Sequence, residues 1–226
     1  MNTDQHDPHA VERRLVARST DRGEVNAQTI SHSYATSVED LWDAVTNAER
    51  LPRWFAPVSG DLELGGHYQV EGNAGGTIET CEPPHRFSAT WEFNGQVSWI
   101  AVAIRPEGEG ARLELEHTAV LDPDSEEQAA FWQTYGPGAT GVGWDLSLMG
   151  LTLHLADAGT ALDPAAVERW STSPEGIAFL GACSRQWGEA AVAAGTPREQ
   201  AEAAAARTTA FYTGQPDPTA PESQGD

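Results

Sequence analysis

The sequence contains no lysine; its thirteen basic residues are all arginines, set against thirty-four acids, for a formal net charge of −21. The missing lysine excludes Schiff-base catalysis and the lysine of a phosphate-binding P-loop. The excess acid repels phosphate backbones and anionic lipid surfaces, so neither nucleic acid nor membrane is an expected partner. Cysteine is almost absent. Cys81 and Cys183 stand 102 positions apart, a spacing that suggests neither a disulfide framework nor a zinc site. No run reaches the ~18–20 apolar residues of a membrane span. The polar opening MNTDQHDPHA lacks the apolar core of a secretory signal. A soluble, cytoplasmic chain is the expectation.

What is present is enough for a packed core: 39% hydrophobic residues, among them eight tryptophans. The acidity is uneven. Residues 24–159 hold twenty-one acids and five arginines, for −16, whereas residues 1–23 are neutral and residues 160–226 carry −5.

Val11–Arg18 and Glu24–Tyr34 read as strands joined by a turn at Ser19–Gly23. Ser37 opens a helix, with an acid three residues after the capping serine and Leu41, Trp42 and Val45 on the buried face. A second short helix ends at Trp54–Phe55. From Gly60 to Val120, Gly-Gly, Pro-Pro and Asn-Gly pairs punctuate short period-two runs. Phe87, Ala89, Trp91 and Phe93 share one strand face. Leu113, Leu115, His117 and Ala119 share another, opposite Arg112, Glu114 and Glu116. This alternation predicts an antiparallel sheet with one wet and one covered face.

The long helix expected over Gly141–Asp157 carries two apolar stripes and so needs cover on two sides. Beyond Gly159, Asp163-Pro164, Ser173-Pro174 and Thr196-Pro197 each set a capping residue before a proline at the first helical position. Gly195 and Gly214 are the expected stops, and QPDPTAPESQGD reads as a solvated tail. The fold class is α+β: a helix-grip, in which a curved antiparallel sheet wraps a long C-terminal helix, with an added helical extension.

The stretch from VEDLWDAVTNAERLPRWFAPVSGDLELGGHYQV through TWEF, SWIAVAIRPEGEGARLELEHTA and GPGATGVGWDLSLMGLTLHLA resembles the SRPBCC (START/Bet v 1-like) superfamily. Within it, the resemblance is to the branch named for the activator of Hsp90 ATPase (AHSA1-like), over about residues 24–157. The segments WSTSPEGIAFLGACSRQW and RTTAFYTG resemble the long form of actinobacterial relatives. The implied organisation is an N-terminal segment 1–23 with one extra strand, a domain over 24–158, a helical extension packed on it over 159–214, and a disordered tail over 215–226. The superfamily includes lipid carriers, hormone receptors, cyclases and co-chaperone domains, so the fold does not decide the function. No catalytic signature carries over position by position.

Three motifs read as structure. Gly136, Gly138 and Gly141 form a G-x-G-x-x-G, but helical sequence on both sides denies it the strand a dinucleotide site needs; the glycines instead suggest a tight turn and close approach of backbone to sheet. The run Gly72–Gly76 is a hairpin turn without a nearby base. The acids at 122–127 lack the glycine and glutamate of a calcium loop. No metal or cofactor is expected.

The leading expectation is a small hydrophobic, aromatic-type ligand held between sheet and long helix. Its lining would be Trp54, Phe55, Tyr68, Trp91, Phe93, Trp99, His117, Trp144, Leu148 and Met149. His117 would be the polar handle on a covered face, tied to a backbone carbonyl or to an acid. One alternative is a cyclase- or hydrolase-type enzyme using His117 with Glu116, Glu92 or Asp145. Another is a protein-interaction or chaperone-associated module docking through its acidic surface or its appended helices, with an exposed apolar patch on residues 160–214. A homodimer is left open.

Overall fold

The computed structural model describes residues 7–157 and 161–218. Eight strands form one antiparallel sheet in the order β1-β2-β8-β7-β6-β5-β4-β3. They are β1 (Glu12–Thr20), β2 (Gly23–Tyr34), β3 (Val58–Gly60), β4 (His67–Val70), β5 (Gly75–Glu82), β6 (Arg86–Phe93), β7 (Gln96–Glu107) and β8 (Gly110–Val120). The helices are α1 (Val38–Thr46), α2 (Leu51–Trp54), α3 (Glu126–Tyr135), α4 (Gly138–Ala156), α5 (Pro164–Ser171), α6 (Pro174–Ala193) and α7 (Arg198–Thr213).

The chain divides into two compact units. Among the described residues, one holds 7–121, 146–157 and 161–162, hence the sheet, α1, α2 and the later part of α4; the other holds 122–145 and 163–218. Thus α3, which lies inside the 24–158 span expected from sequence, clusters with the later helices. The tail expected over 215–226 lies outside the described residues from 219 onward, as do residues 1–6 of the N-terminal segment.

In the sheet unit, alternation sets the core. Ile100 pairs with His117, Val102 with Leu115 and Ile104 with Leu113, and all six are buried. The intervening Ala101, Ala103 and Arg105 face Glu116, Glu114 and Arg112 on the other side. Helix α1 covers one end of the apolar face, where Trp42 meets the edge of Phe87 at 6.0 Å. Its start is the capping serine read from sequence: Ser37 Oγ accepts from the Asp40 amide at 3.1 Å. The later part of α4 lies on the same face, with the Tyr34 hydroxyl 3.5 Å from the Leu148 carbonyl oxygen. It also approaches α2 closely, since a Cβ at Gly150 would stand 2.3 Å from the Trp54 carbonyl oxygen. One arginine clasps these helices together. Arg50 Nε donates to His154 Nε2 at 3.1 Å, and its guanidinium pairs with Asp40 and Asp43.

In the helical unit, Asp163 and Ser173 cap α5 and α6 with proline following, accepting from Ala165 and Gly176 amides. The third start differs from expectation. Pro197 is itself the cap of α7, without a side-chain hydrogen bond, and Arg198 is the first helical residue. The glycine motif is also explained differently. Gly136, at φ +57°, ends α3, and Gly138 and Gly141 sit inside α4. The close neighbour of Gly141 is an indole rather than the sheet: a Cβ there would stand 2.3 Å from the Trp187 ring.

In a helix interior, glycine to alanine ordinarily gains about 0.5–1 kcal/mol. Gly141→Ala is expected to reverse that sign, losing about 1–3 kcal/mol by overpacking against Trp187. Urea unfolding checks this, with Gly143→Ala, whose Cβ would meet only the Tyr212 hydroxyl at 3.3 Å, as the milder comparison.

Candidate functional site

Along the covered face, burial falls toward the β6–β7 hairpin. Ile104, Val102 and Ile100 are buried, but Ser98 is half-exposed; Ala89 is buried, Trp91 is half-exposed and Phe93 is 45% exposed. Registers place these together, with Ala89 beside Ile100, Trp91 beside Ser98 and Ser98 beside Ala119. The result is a half-open apolar shelf at one end of the face, backed by buried aliphatic residues.

Three polar groups break that shelf. His117 is buried, and its Nε2 lies 2.8 Å from Ser98 Oγ. Ser98 in turn donates to the Trp91 carbonyl oxygen at 3.0 Å. A hydroxyl has one proton, so with that proton on Trp91 the imidazole Nε2–H is the donor to Ser98. Gln28, also buried, is the cross-strand neighbour of His117 on β2. Burial pushes the imidazole pKa down from 6.5 to about 4, so the ring is neutral at neutral pH. A base that weak is poorly matched to proton abstraction near pH 7.

The candidate acids lie elsewhere. Glu116 and Glu92 alternate onto the opposite face; Glu116 forms an ion pair with Arg18, and Glu92 accepts from the Thr90 hydroxyl at 2.8 Å. Asp145 belongs to the helical unit. There it is fully buried and accepts the Trp187 indole N–H at 2.9 Å, which accounts for its place in α4 without a catalytic role.

The expected lining residues separate in the same way. Trp91, Phe93 and His117 meet on the shelf. Leu148 and Met149 are buried on α4, within the sheet unit. Trp54 is a corner residue whose indole donates to the Ala44 carbonyl oxygen at 3.0 Å, with Phe55 5.6 Å away. Tyr68 is buried and donates to the Thr90 carbonyl oxygen at 2.6 Å. Trp144 falls in the helical unit. Trp99 lies on the opposite face, beneath the Arg22 guanidinium at 4.3 Å. Its out-of-phase position between Ser98 and Ile100 already encoded this. Ser98 and Gln28 were missed, although each is a polar residue at an inward position of an alternating strand.

Among the described residues, no helix is long and apolar enough to cross a membrane, and no cluster of three or more His, Cys, Asp or Glu is arranged to hold a metal. Open space is found at two places away from the shelf. One, about 10 Å³, lies in the helical unit beside Trp132 and Ala204. The other, about 160 Å³, lies on the outer face of the sheet over Trp99.

Residues 35–156 match the family model described as activator of Hsp90 ATPase homolog 1-like protein, more than half of the chain. The chain belongs to this family. Its α+β architecture is the Bet v 1-like helix-grip, a ligand-binding type of domain. The chain is similar to CalU16 from Micromonospora echinospora, whose crystal structure shares 32% identity at a TM-score of 0.60, covering 82% of this chain and 98% of that one. The solution structure of CalU16 agrees, with 31% identity and a TM-score of 0.63. EF2215 from Enterococcus faecalis, described as a conserved protein of unknown function, shares the fold at a TM-score of 0.56 with 12% identity, covering 85% of this chain and 96% of that one. No curated protein matches the chain.

The lowered pKa of His117 makes stability depend on pH in one direction. As pH falls, the unfolded chain, with the ordinary pKa of 6.5, takes up this proton before the folded chain, at about 4. The contribution of the neutral ring is intact above about pH 6.5 and is lost as pH falls toward 4. Between about pH 7.5 and about pH 5 this loss amounts to about 2 kcal/mol. Urea unfolding of His117→Gln should lack that share of the pH dependence; an unaltered dependence would show that the ring is not held neutral.

Proposed function

We propose that this family member binds a small hydrophobic, preferably aromatic, ligand on the shelf formed by Trp91, Phe93, Ser98 and His117. The later part of α4 borders the same face of the sheet. The observation that carries this reading is the buried His117–Ser98 pair, with Gln28 alongside, set into an otherwise apolar face that opens toward the hairpin end. Apolar sites gain orientation from a small number of placed polar groups, and a neutral imidazole with a hydroxyl can both donate and accept. The half-exposed Trp91 and the exposed Phe93 supply flat surface for a ring. On this reading, residues 24–158 are the ligand-holding part and residues 159–214 an appended helical module. The weak basicity of His117 and the outward turn of Glu116 and Glu92 favour binding over catalysis.

N-phenyl-1-naphthylamine, an uncharged polyaromatic probe whose emission rises in apolar sites, tests the proposal. Saturable binding at one site per chain is expected. Trp91→Ala should weaken it roughly tenfold or more, a loss of about 1.4 kcal/mol, and His117→Phe should alter affinity without unfolding the protein. Equal binding by both variants and the parent protein would place the ligand elsewhere. Native mass spectrometry of protein purified without added ligand identifies any co-purifying molecule.

A further inference from the structure

The helical unit leaves one helix largely uncovered. None of the ten residues of α3 is buried, and Ala129, Ala130 and Phe131 are exposed. It packs on α7, and along their seam four rings form a continuous row. Phe131 lies 5.3 Å from Tyr135, Tyr135 5.7 Å from Phe211, and Phe211 5.3 Å from Tyr212. Phe131 is 50% exposed and Phe211 66%; among the described residues of this unit they are the only large apolar side chains left exposed. At ~200 Å² per ring residue the two together offer roughly 230 Å² to solvent. Exposed apolar residues scattered singly are ordinary. Two phenylalanines eighty positions apart in the chain, brought into one row by the Tyr135 ring, are a contiguous patch.

Two anchors hold the row in place. The Thr208 hydroxyl on α7 donates to the Tyr135 carbonyl oxygen at 3.0 Å, and the Tyr212 hydroxyl donates to the Ala139 carbonyl oxygen at 2.8 Å. A preformed row loses little freedom when something docks on it. Charge then selects the occupant. Helix α3 carries Glu126 and Glu127 in its first turn and no basic residue, and Glu127 lies one turn from Phe131 on the same side. Neither glutamate side chain has an ion pair or hydrogen bond among the described residues. Over residues 122–145 and 163–218 the unit holds twelve acids and four arginines, for −8. Three of those arginines already pair with acids: Arg169 with Asp163, Arg198 with Glu189 and Arg207 with Asp217. A second copy of this chain would set −21 against −21, with no lysine to bridge the contact. The chain after residue 218, TAPESQGD, has two acids and no large apolar side chain to lay on the rings. A partner with lysine or arginine beside apolar side chains gains twice, from the acids and from cation–π contact.

We infer that the Phe131–Tyr135–Phe211 row is a docking surface for a basic amphipathic helical segment of another protein. The apolar face of that segment lies on the rings, and its lysine or arginine side chains reach the acidic start of α3. The small area fits a short segment in transient contact rather than a permanent interface. The row lies wholly within the helical unit and does not depend on a ligand at the His117 shelf.

The probe is a short fluorescein-labelled peptide with leucine along one helical face and lysine on the other. The comparison is the same peptide with glutamate in place of lysine, each titrated with the full chain by fluorescence anisotropy. Saturable binding of the lysine peptide at one site per chain is expected, with none of the glutamate peptide. Phe131→Ala combined with Phe211→Ala leaves every charge in place and should weaken binding about tenfold or more. This separates the row from general attraction to an acidic protein. Phe211→Ala alone repeats the test without touching α3. Glu126→Gln combined with Glu127→Gln keeps the rings and should weaken binding several-fold while flattening its salt dependence. No binding of the lysine peptide, equal binding of the glutamate peptide, or an affinity unchanged in the phenylalanine variants overturns the inference. So does self-association, seen by sedimentation equilibrium and abolished in the double phenylalanine variant, because a second copy would then be the occupant.

Discussion

Every functional feature of the sheet unit depends on the two-residue alternation of β7 and β8. Successive side chains on a strand point to opposite faces, so a one-residue slip would bring Trp99 and Glu116 inward and turn His117 and Ile100 out. The paired run of Ile100, Val102 and Ile104 against His117, Leu115 and Leu113 resists that slip, because it would expose six buried residues at once. The register is held by burial, and the chemistry on each face follows from the register.

A consequence is that two unlike environments lie back to back, one sheet apart. Ser98 faces the apolar shelf and Trp99, its neighbour in the chain, faces the charged outer cavity. On the inner side the polar groups are neutral and few, and desolvation keeps His117 uncharged. On the outer side the polar groups are ionic and paired across strands, in contact with water, where each pair contributes modestly to stability. The outer ion pairs therefore matter more for holding the β1–β2 turn over the sheet than for the free energy of folding.

The helical unit shows why a conspicuous motif need not be a site. Its glycines and its buried acid answer one packing requirement, the Trp187 indole. Gly141 leaves room for the ring and Asp145 accepts its N–H. Membership of the family likewise constrains the architecture and leaves the ligand to the particular side chains on the shelf.

Much of the architecture was legible in the sequence. Period-two alternation marked β6 and β8, Ser37, Asp163 and Ser173 marked helix starts, and the order of elements carried the family resemblance. These are local properties, set by backbone geometry and by which side chains avoid water. The parity of β7 marks Trp99 as outward-facing, although its aromatic character suggests a lining residue. What only the tertiary structure decided are the partnerships: Ser98 for His117, Trp187 for Asp145, Arg18 for Glu116, and Arg22 for Glu79 fifty-seven positions away. Strand pairing and the curl of the sheet bring such residues together. Neither leaves a mark at any single position, because each depends on how distant segments divide a shared surface.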